Sequence, residues 1–174
     1  PDMCSLTLSS LNFVKQASIN EPEMIQNLLA KMNDYGVHPE LECFDLGMIN
    51  YGNFLIGKGL AKEPYYFNLL FGNIAGMQPV ELHFKAAIES IPKQSWIGIG
   101  GIGKHQLSTV DWAIRNNLGV RIGLEDNIWY NRPTDQLATN VQLVQHVHKT
   151  MLDEGRDWCR ANEFGKLGFY NGKL

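Results

Sequence analysis

Hydrophobic and polar positions along the chain alternate between two rhythms. Short runs at residues 3–9, 40–45, 65–72, 95–100 and 119–124, three of them alternating polar with apolar residues, predict strands. Between them lie runs with apolar residues three or four apart, at residues 21–36, 46–56, 80–91, 106–117 and 140–152, which predict helices. In the first helix Met24, Ile25, Leu28, Leu29 and Met32 share a face, Asn20 is the expected cap, Pro22 falls in the first turn and Gly36 is the stop. In the third, Val80, Phe84, Ala87, Ile88 and Ile91 are in register; in the last, Val141, Val144 and His148 form the stripe. The second helix is expected to end near Gly57 and Gly59.

Five strand-helix units follow one another without a low-complexity segment or a linker, so residues 1–174 read as one domain. Strict alternation calls for a parallel sheet covered by helices, because parallel strands need long crossovers. Two architectures fit: a small doubly wound sheet, and most of a (β/α)8 barrel, which takes about 250 residues.

The polar residues favour the barrel. Side chains alternate across a strand. Ser5, Thr7 and Ser9 therefore share one face, Glu40 and Glu42 another, and Arg121, Gly123 and Glu125 a third. Under a layer of helices such faces are hard to satisfy. Inside a barrel they point into the lumen, and active sites lie at the C-terminal strand ends, where Glu125 and Asp126 fall. A structural ion pair would explain one charged strand; three converging polar faces point to a site. There an Arg suits a substrate carboxylate, which it grips bidentately. A Glu at the strand end suits a metal, and an adjacent Asp suits proton transfer.

Composition removes several classes. The chain is 44% hydrophobic and 19% charged, with a net charge of −3, and no Lys/Arg run marks a nucleic-acid surface. No apolar stretch approaches the ~20 residues that cross a bilayer, and no signal peptide is evident. Cys4, Cys43 and Cys159 are widely spaced and form no CxxC, which fits free thiols in a reducing cytoplasm.

Two motifs compete for attention. "GIGGIG" matches the dinucleotide fingerprint through Gly98, Gly100 and Gly103, with Glu125 in the acidic position. It sits in the fourth unit, whereas the fingerprint normally opens such a domain. It nearly matches a P-loop, but His105 stands where Ser or Thr would bind magnesium. The alternatives are a tight strand-helix turn, or a loop whose N–H groups hold a phosphate or thioester. His146 and His148 look like a chelate, but two residues apart on a helix they point to nearly opposite sides, His148 with the apolar stripe and His146 outward to solvent. A structural or surface role is expected for both.

Five segments, "PDMCSLTLSSLNF", "HPELECFDLGM", "YYFNLLFGNIAGMQP", "WIGIGGIGKHQL" and "VRIGLEDN", together resemble the β-keto acid cleavage enzymes over essentially the whole chain. The resemblance implies a (β/α)8 barrel, a homo-oligomer and one zinc ion. It implies a reaction in which a β-keto acid and acetyl-CoA give acetoacetate and a new acyl-CoA. It puts the metal-ligating Glu on Glu125 and a catalytic dyad on Arg121 and Asp126. It puts the substrate-lining Glu on Glu42, with Glu40 as the alternative, and a hydroxyl residue on Ser5. Gly103 and Lys104 fall where the family meets CoA, Lys104 standing in place of an expected Arg. The family's first three units, with the His-x-His pair that completes its zinc site, have no counterpart in residues 1–174. A strand-like start at Pro1 and a count of five units predict about three further units upstream, on the order of 100 residues. A dinucleotide-binding oxidoreductase module and a catalytically silent remnant are the competing readings.

Overall fold

In a computed structural model, which describes residues 1–170, five parallel strands form one sheet. They are β1 (Met3–Thr7), β2 (His38–Cys43), β3 (Tyr66–Phe71), β4 (Trp96–Gly101) and β5 (Gly119–Val120). Each pairs in parallel with the next in chain order. A doubly wound sheet reverses its strand order at a switch point. This sheet never reverses, which is the winding of a (β/α)8 barrel, and the chain supplies five of its strand-helix units. The crossovers carry α1 (Pro22–Tyr35), α2 (Leu46–Gly57), α3 (Glu81–Glu89) and α4 (Gln106–Arg115), and α5 (Asn140–Asp153) follows β5.

The period of two decides which face meets the helices. Leu6, Leu41, Cys43, Phe67, Leu69, Phe71 and Ile99 are buried in the main core with Ile25 and Leu29 of α1, Met48 and Leu55 of α2, and Phe84 and Ala87 of α3. A smaller cluster joins Val110 and Ile114 of α4 to Val147 and Met151 of α5. Registers of Ser5 to Glu40, Thr7 to Glu42, Glu42 to Asn68 and Asn68 to Gly98 collect the polar residues on the opposite face.

Several expectations shift locally. Asn20 does not cap α1: Glu21 holds the cap position, while Asn20 donates to Ser9 O and Ser18 Oγ beside a short antiparallel pair, Leu11–Asn12 with Ala17–Ser18. Gly36 ends α1 in the left-handed conformation as expected (φ 66°). Along α1 only the Ile25 and Leu29 side of the apolar face is buried, and Met24 and Leu28 stay exposed. On α5 the buried stripe is Leu143, Val147 and Met151, and Val141 and Val144 are exposed. The packing of α5 on α4 sets that rotation: His146 Nε2 meets Asp111 Oδ1 at 2.8 Å instead of facing solvent. His148 stacks on Trp158 with ring centroids 4.4 Å apart. Strand pairing in β5 stops at Val120, short of the expected Leu124, although the Arg121 N–H still donates to Ile99 O at 2.9 Å. A second antiparallel pair, Trp129–Asn131 with Gln136–Leu137, follows the turn. Near the C-terminus Phe169 is buried against Tyr66 and His38 at the start of the strands.

The glycine-rich segment is packing as much as loop. A Cβ on Gly101 would lie 2.7 Å from His105 O and 2.9 Å from Gln106 Cα, both backbone atoms at the start of α4. Gly103 has a positive φ of 59° with open space around it. Gly101→Ala should therefore destabilise the fold by about 1–3 kcal/mol through overpacking. Gly103→Ala should cost about 1 kcal/mol through backbone strain alone. Equilibrium urea unfolding of both variants checks the order; a larger loss at Gly103 would reject this account of the motif.

Candidate active site

Arg121 follows the last paired residue of β5, where the chain leaves the sheet, and its side chain returns over the polar face. Gly100 makes this possible, because a Cβ there would come within 3.3 Å of Arg121 Cβ. The guanidinium then meets four carboxylates. Nε and Nη2 donate to Asp126 Oδ2 and Oδ1 at 3.1 and 3.4 Å, a side-on fork. Nη1 donates to Glu42 Oε1 at 2.8 Å. Nη2 lies 3.2 Å from Glu125 Oε2, and Nη1 lies 4.0 Å from Glu40 Oε1.

The supporting contacts fix the loop rather than leave it to the ion pairs. The Gly103 N–H donates to Asp126 O at 2.8 Å, and the buried Gln106 donates through Nε2 to Gly123 O at 2.7 Å. The "GLED" turn is thus tied to the end of β4 and the start of α4. Thr7 Oγ1 donates to Glu42 Oε2 at 2.6 Å, so both Glu42 oxygens are used. Glu40, two residues earlier on β2, accepts from Ser5 Oγ at 3.3 Å and from Asn68 Nδ2.

Burial and charge pull against each other here. Partial burial opposes the charged Arg121, but Asp126, Glu42 and Glu125 outweigh it and hold its pKa above the ordinary value. Burial pushes the Asp126 carboxyl above the usual carboxylate range; Arg121 pulls it back, and Glu125 and Glu42 push it up again. Tyr66, half-buried and close to Glu40, is pushed up to about 12 and stays a neutral phenol. An ionisable carboxyl with a raised pKa, held on a guanidinium fork, is the equipment of a general base.

The structure brings Arg121, Asp126, Glu125 and Glu42 together, with Ser5 reaching the same face through Glu40. Gly103 joins through its backbone, its N–H already given to Asp126. Lys104 lines a neighbouring cavity of about 330 Å³ with Asn127, Trp129, Tyr130 and Arg132.

 

His146 and His148 lie on α5, paired with Asp111 and stacked on Trp158, and belong to neither place. Sequence reasoning missed Asn68, a buried polar residue in the middle of an apolar strand, and Gln106, the clamp on Gly123. A lone Asn within "YYFNLLF", on the same alternation as Tyr66, was the signal for the first; nothing local marks the second.

For the glycine motif, a Cβ on Gly98 would strike the Tyr66 hydroxyl, and one on Gly100 would lie 2.8 Å from Leu70 Cδ2. These glycines make room for lumen side chains. Among the described residues no group of three His, Cys, Asp or Glu is arranged to hold a metal ion. Glu125, with its side chain 84% exposed, offers one carboxylate. The described residues therefore do not complete a zinc site by themselves.

Parallel strands wound in one direction, with a guanidinium-carboxylate cluster at their C-terminal ends, define a barrel of the enzyme type. The family described as beta-keto acid cleavage enzyme matches residues 1–167, and the chain belongs to that family. Its relatives include a 3-dehydrocarnitine:acetyl-CoA trimethylamine transferase of Rhizobium meliloti, 32% identical over 83% of this chain and 48% of the relative. A 3-keto-5-aminohexanoate cleavage enzyme of Fusobacterium nucleatum is 30% identical over 94% of this chain and 59% of its own length. A 3-oxoadipate:acetyl-CoA acetyltransferase of Cupriavidus necator is 31% identical over 90% and 56%. The chain thus spans about half the length of these relatives. In three dimensions it resembles ObcA, solved as a ternary complex with a C4-CoA adduct and oxalate, with a TM-score of 0.70, 19% identity, and coverage of 94% of this chain and 44% of the other. No helix among the described residues is long and apolar enough to cross a membrane.

The charge pattern gives a signed test. Arg121→Gln should raise the Asp126 pKa, because it removes the one cation that lowers it, and Glu42→Gln should lower it. Carboxyl-carbon NMR titration of Asp126 in both variants reads the shifts. Movement in the same direction would show that the cluster is not coupled as described.

Proposed function

We propose that this chain carries the acid-base half of a zinc-dependent β-keto acid cleavage enzyme, an acyltransferase that converts a β-keto acid and acetyl-CoA to acetoacetate and an acyl-CoA. Family membership and the names of its relatives support the reaction class. The observation that carries the residue roles is the side-on fork of Arg121 on Asp126, backed by Glu42.

Asp126 takes the proton from the carbon between the carboxylate and the ketone. Arg121 orients Asp126 and supplies positive charge where the substrate carboxylate would sit, and Glu42 holds the far side of the guanidinium. The resulting carbanion attacks the acetyl carbon of acetyl-CoA; a carbon-carbon bond forms and the thiolate leaves. The thiolate then adds to the original keto carbon. The bond between that carbon and the former carbanion breaks, releasing the acyl-CoA, and Asp126 returns its proton to give acetoacetate. Lys104 and Gly103, beside the Asp126 loop, are proposed to meet CoA. Ser5 is proposed to line the substrate site through Glu40.

Zinc would act as a Lewis acid toward the keto acid. Glu125 is the ligand this chain offers, and no step is assigned through the metal. The same reading carries a homo-oligomer, which light scattering on the complete protein measures.

In the complete protein Asp126→Asn should keep its fold and slow turnover ~10²-fold or more, as expected on losing a positioned base. Arg121→Lys should also fail, because Lys keeps the charge without the planar fork. The double variant should be little worse than either single one if the pair acts as a unit. Steady-state kinetics with acetyl-CoA and a panel of β-keto acids decides, and near-normal turnover by Asp126→Asn would refute the mechanism.

A further inference from the structure

The turn that carries Asp126 is tied down from outside. Gly123 O closes the turn by accepting from the Asp126 N–H at a long 3.3 Å, and the same carbonyl accepts from Gln106 Nε2 at 2.7 Å. The Asp126 carbonyl accepts from the Gly103 N–H at 2.8 Å. Between them the Leu124 N–H donates to Asn140 Oδ1 at 3.0 Å. Asn140 is exposed, so water can stand in for it, whereas Gln106 is fully buried and water cannot replace its donor.

Stability does not account for the amide at Gln106. Its Oε1 is buried without a partner. An orphaned acceptor is costly, and turning the amide over would set that oxygen against Gly123 O. An apolar side chain of the same length would avoid the cost, and Gly123 O would keep the Asp126 N–H. A buried polar group held with half of its bonding unmet points to a task beyond packing. The task lies next to it. The Asp126 side chain is only 6% exposed and is forked on Arg121, so the direction of its carboxylate follows from where the turn places its backbone.

We propose that Gln106 is a positioning residue for proton transfer: by holding Gly123 O it sets the depth of the turn and aims the Asp126 carboxylate at the substrate carbon. This rests on the functional reading above and adds to it a residue that touches neither the keto acid nor CoA. A shift of about 1 Å in a reacting group is enough to cost on the order of a hundredfold in rate.

The test uses the complete protein with Gln106→Met, which keeps the length and loses the donor, and Gln106→Asn, whose amide is one methylene too short. Both should melt close to the unsubstituted protein. In both, kcat should fall about tenfold or more, while KM for the keto acid and for acetyl-CoA stays within about twofold. Exchange of the substrate's α-hydrogens with heavy water, followed by NMR without acetyl-CoA, should slow by the same factor, because it isolates the step assigned to Asp126. In an Asp126→Asn background Gln106→Met should cost nothing further. A loss carried by KM, normal α-hydrogen exchange, additive losses with Asp126→Asn, or early melting of both variants would overturn the proposal; if Gln106→Met alone melts early, Gln106→Asn decides. Hydrogen exchange at the Arg121 Nε–H, read by NMR, reports on the fork without substrate and should quicken in both variants. Unchanged exchange there would overturn the proposal even if no β-keto acid is turned over, whereas absence of turnover in the unsubstituted protein would reject the functional reading alone.

Discussion

The fork between Arg121 and Asp126 is the contact on which the site depends. A guanidinium half-removed from water needs carboxylates around it, and buried carboxylates need the guanidinium in return. Each partner is held from a different element: Glu42 from β2, Asp126 from the turn after β5, and Arg121 from the point where β5 leaves the sheet. Together with Glu42, the pair therefore joins β2 to the end of β5. Its geometry is kept by neutral contacts, notably the Gly103 N–H and the Gln106 amide, which do not weaken when a charged substrate arrives.

Glycine has a matching role on the fourth strand. Gly98, Gly100 and Gly101 lie next to one another in space with Tyr66, Arg121 and the start of α4. Two of them clear the lumen face and one lets the helix approach. The motif resembles a nucleotide fingerprint because both uses require backbone without a Cβ. The surroundings distinguish them: here the added atoms would meet a phenol, an arginine stem and a helix backbone.

The two layers of the lumen face differ in what holds their carboxylates. Glu42 is bound by Arg121 and Thr7 and belongs to the charged cluster. Glu40, one alternation deeper, is bound by Ser5 and Asn68. Their spacing of two residues puts both on the same face, and the register across β1, β2 and β3 gives them different neighbours.

Much was legible in the sequence because it depends on local period. The alternation of Leu41 and Cys43 with Glu40 and Glu42 fixed which strand face would be polar, and the order of strands and helices announced a parallel sheet. The motif at residues 121–127 marked the cluster before any contact was known. What the sequence could not supply was rotation, register and reach. The buried stripe of α5 fell on Leu143 and Val147 because α4 lies on that side. Pairing in β5 ended at Val120 because the chain turns there to bring Asp126 under Arg121. Whether Glu40 or Glu42 would meet the guanidinium depended on the register across β1, β2 and β3, and Asn68 became part of the site only when that register set its amide against Glu40. Local period is written in neighbouring residues, whereas these contacts join residues tens of positions apart, and only the folded sheet selects them.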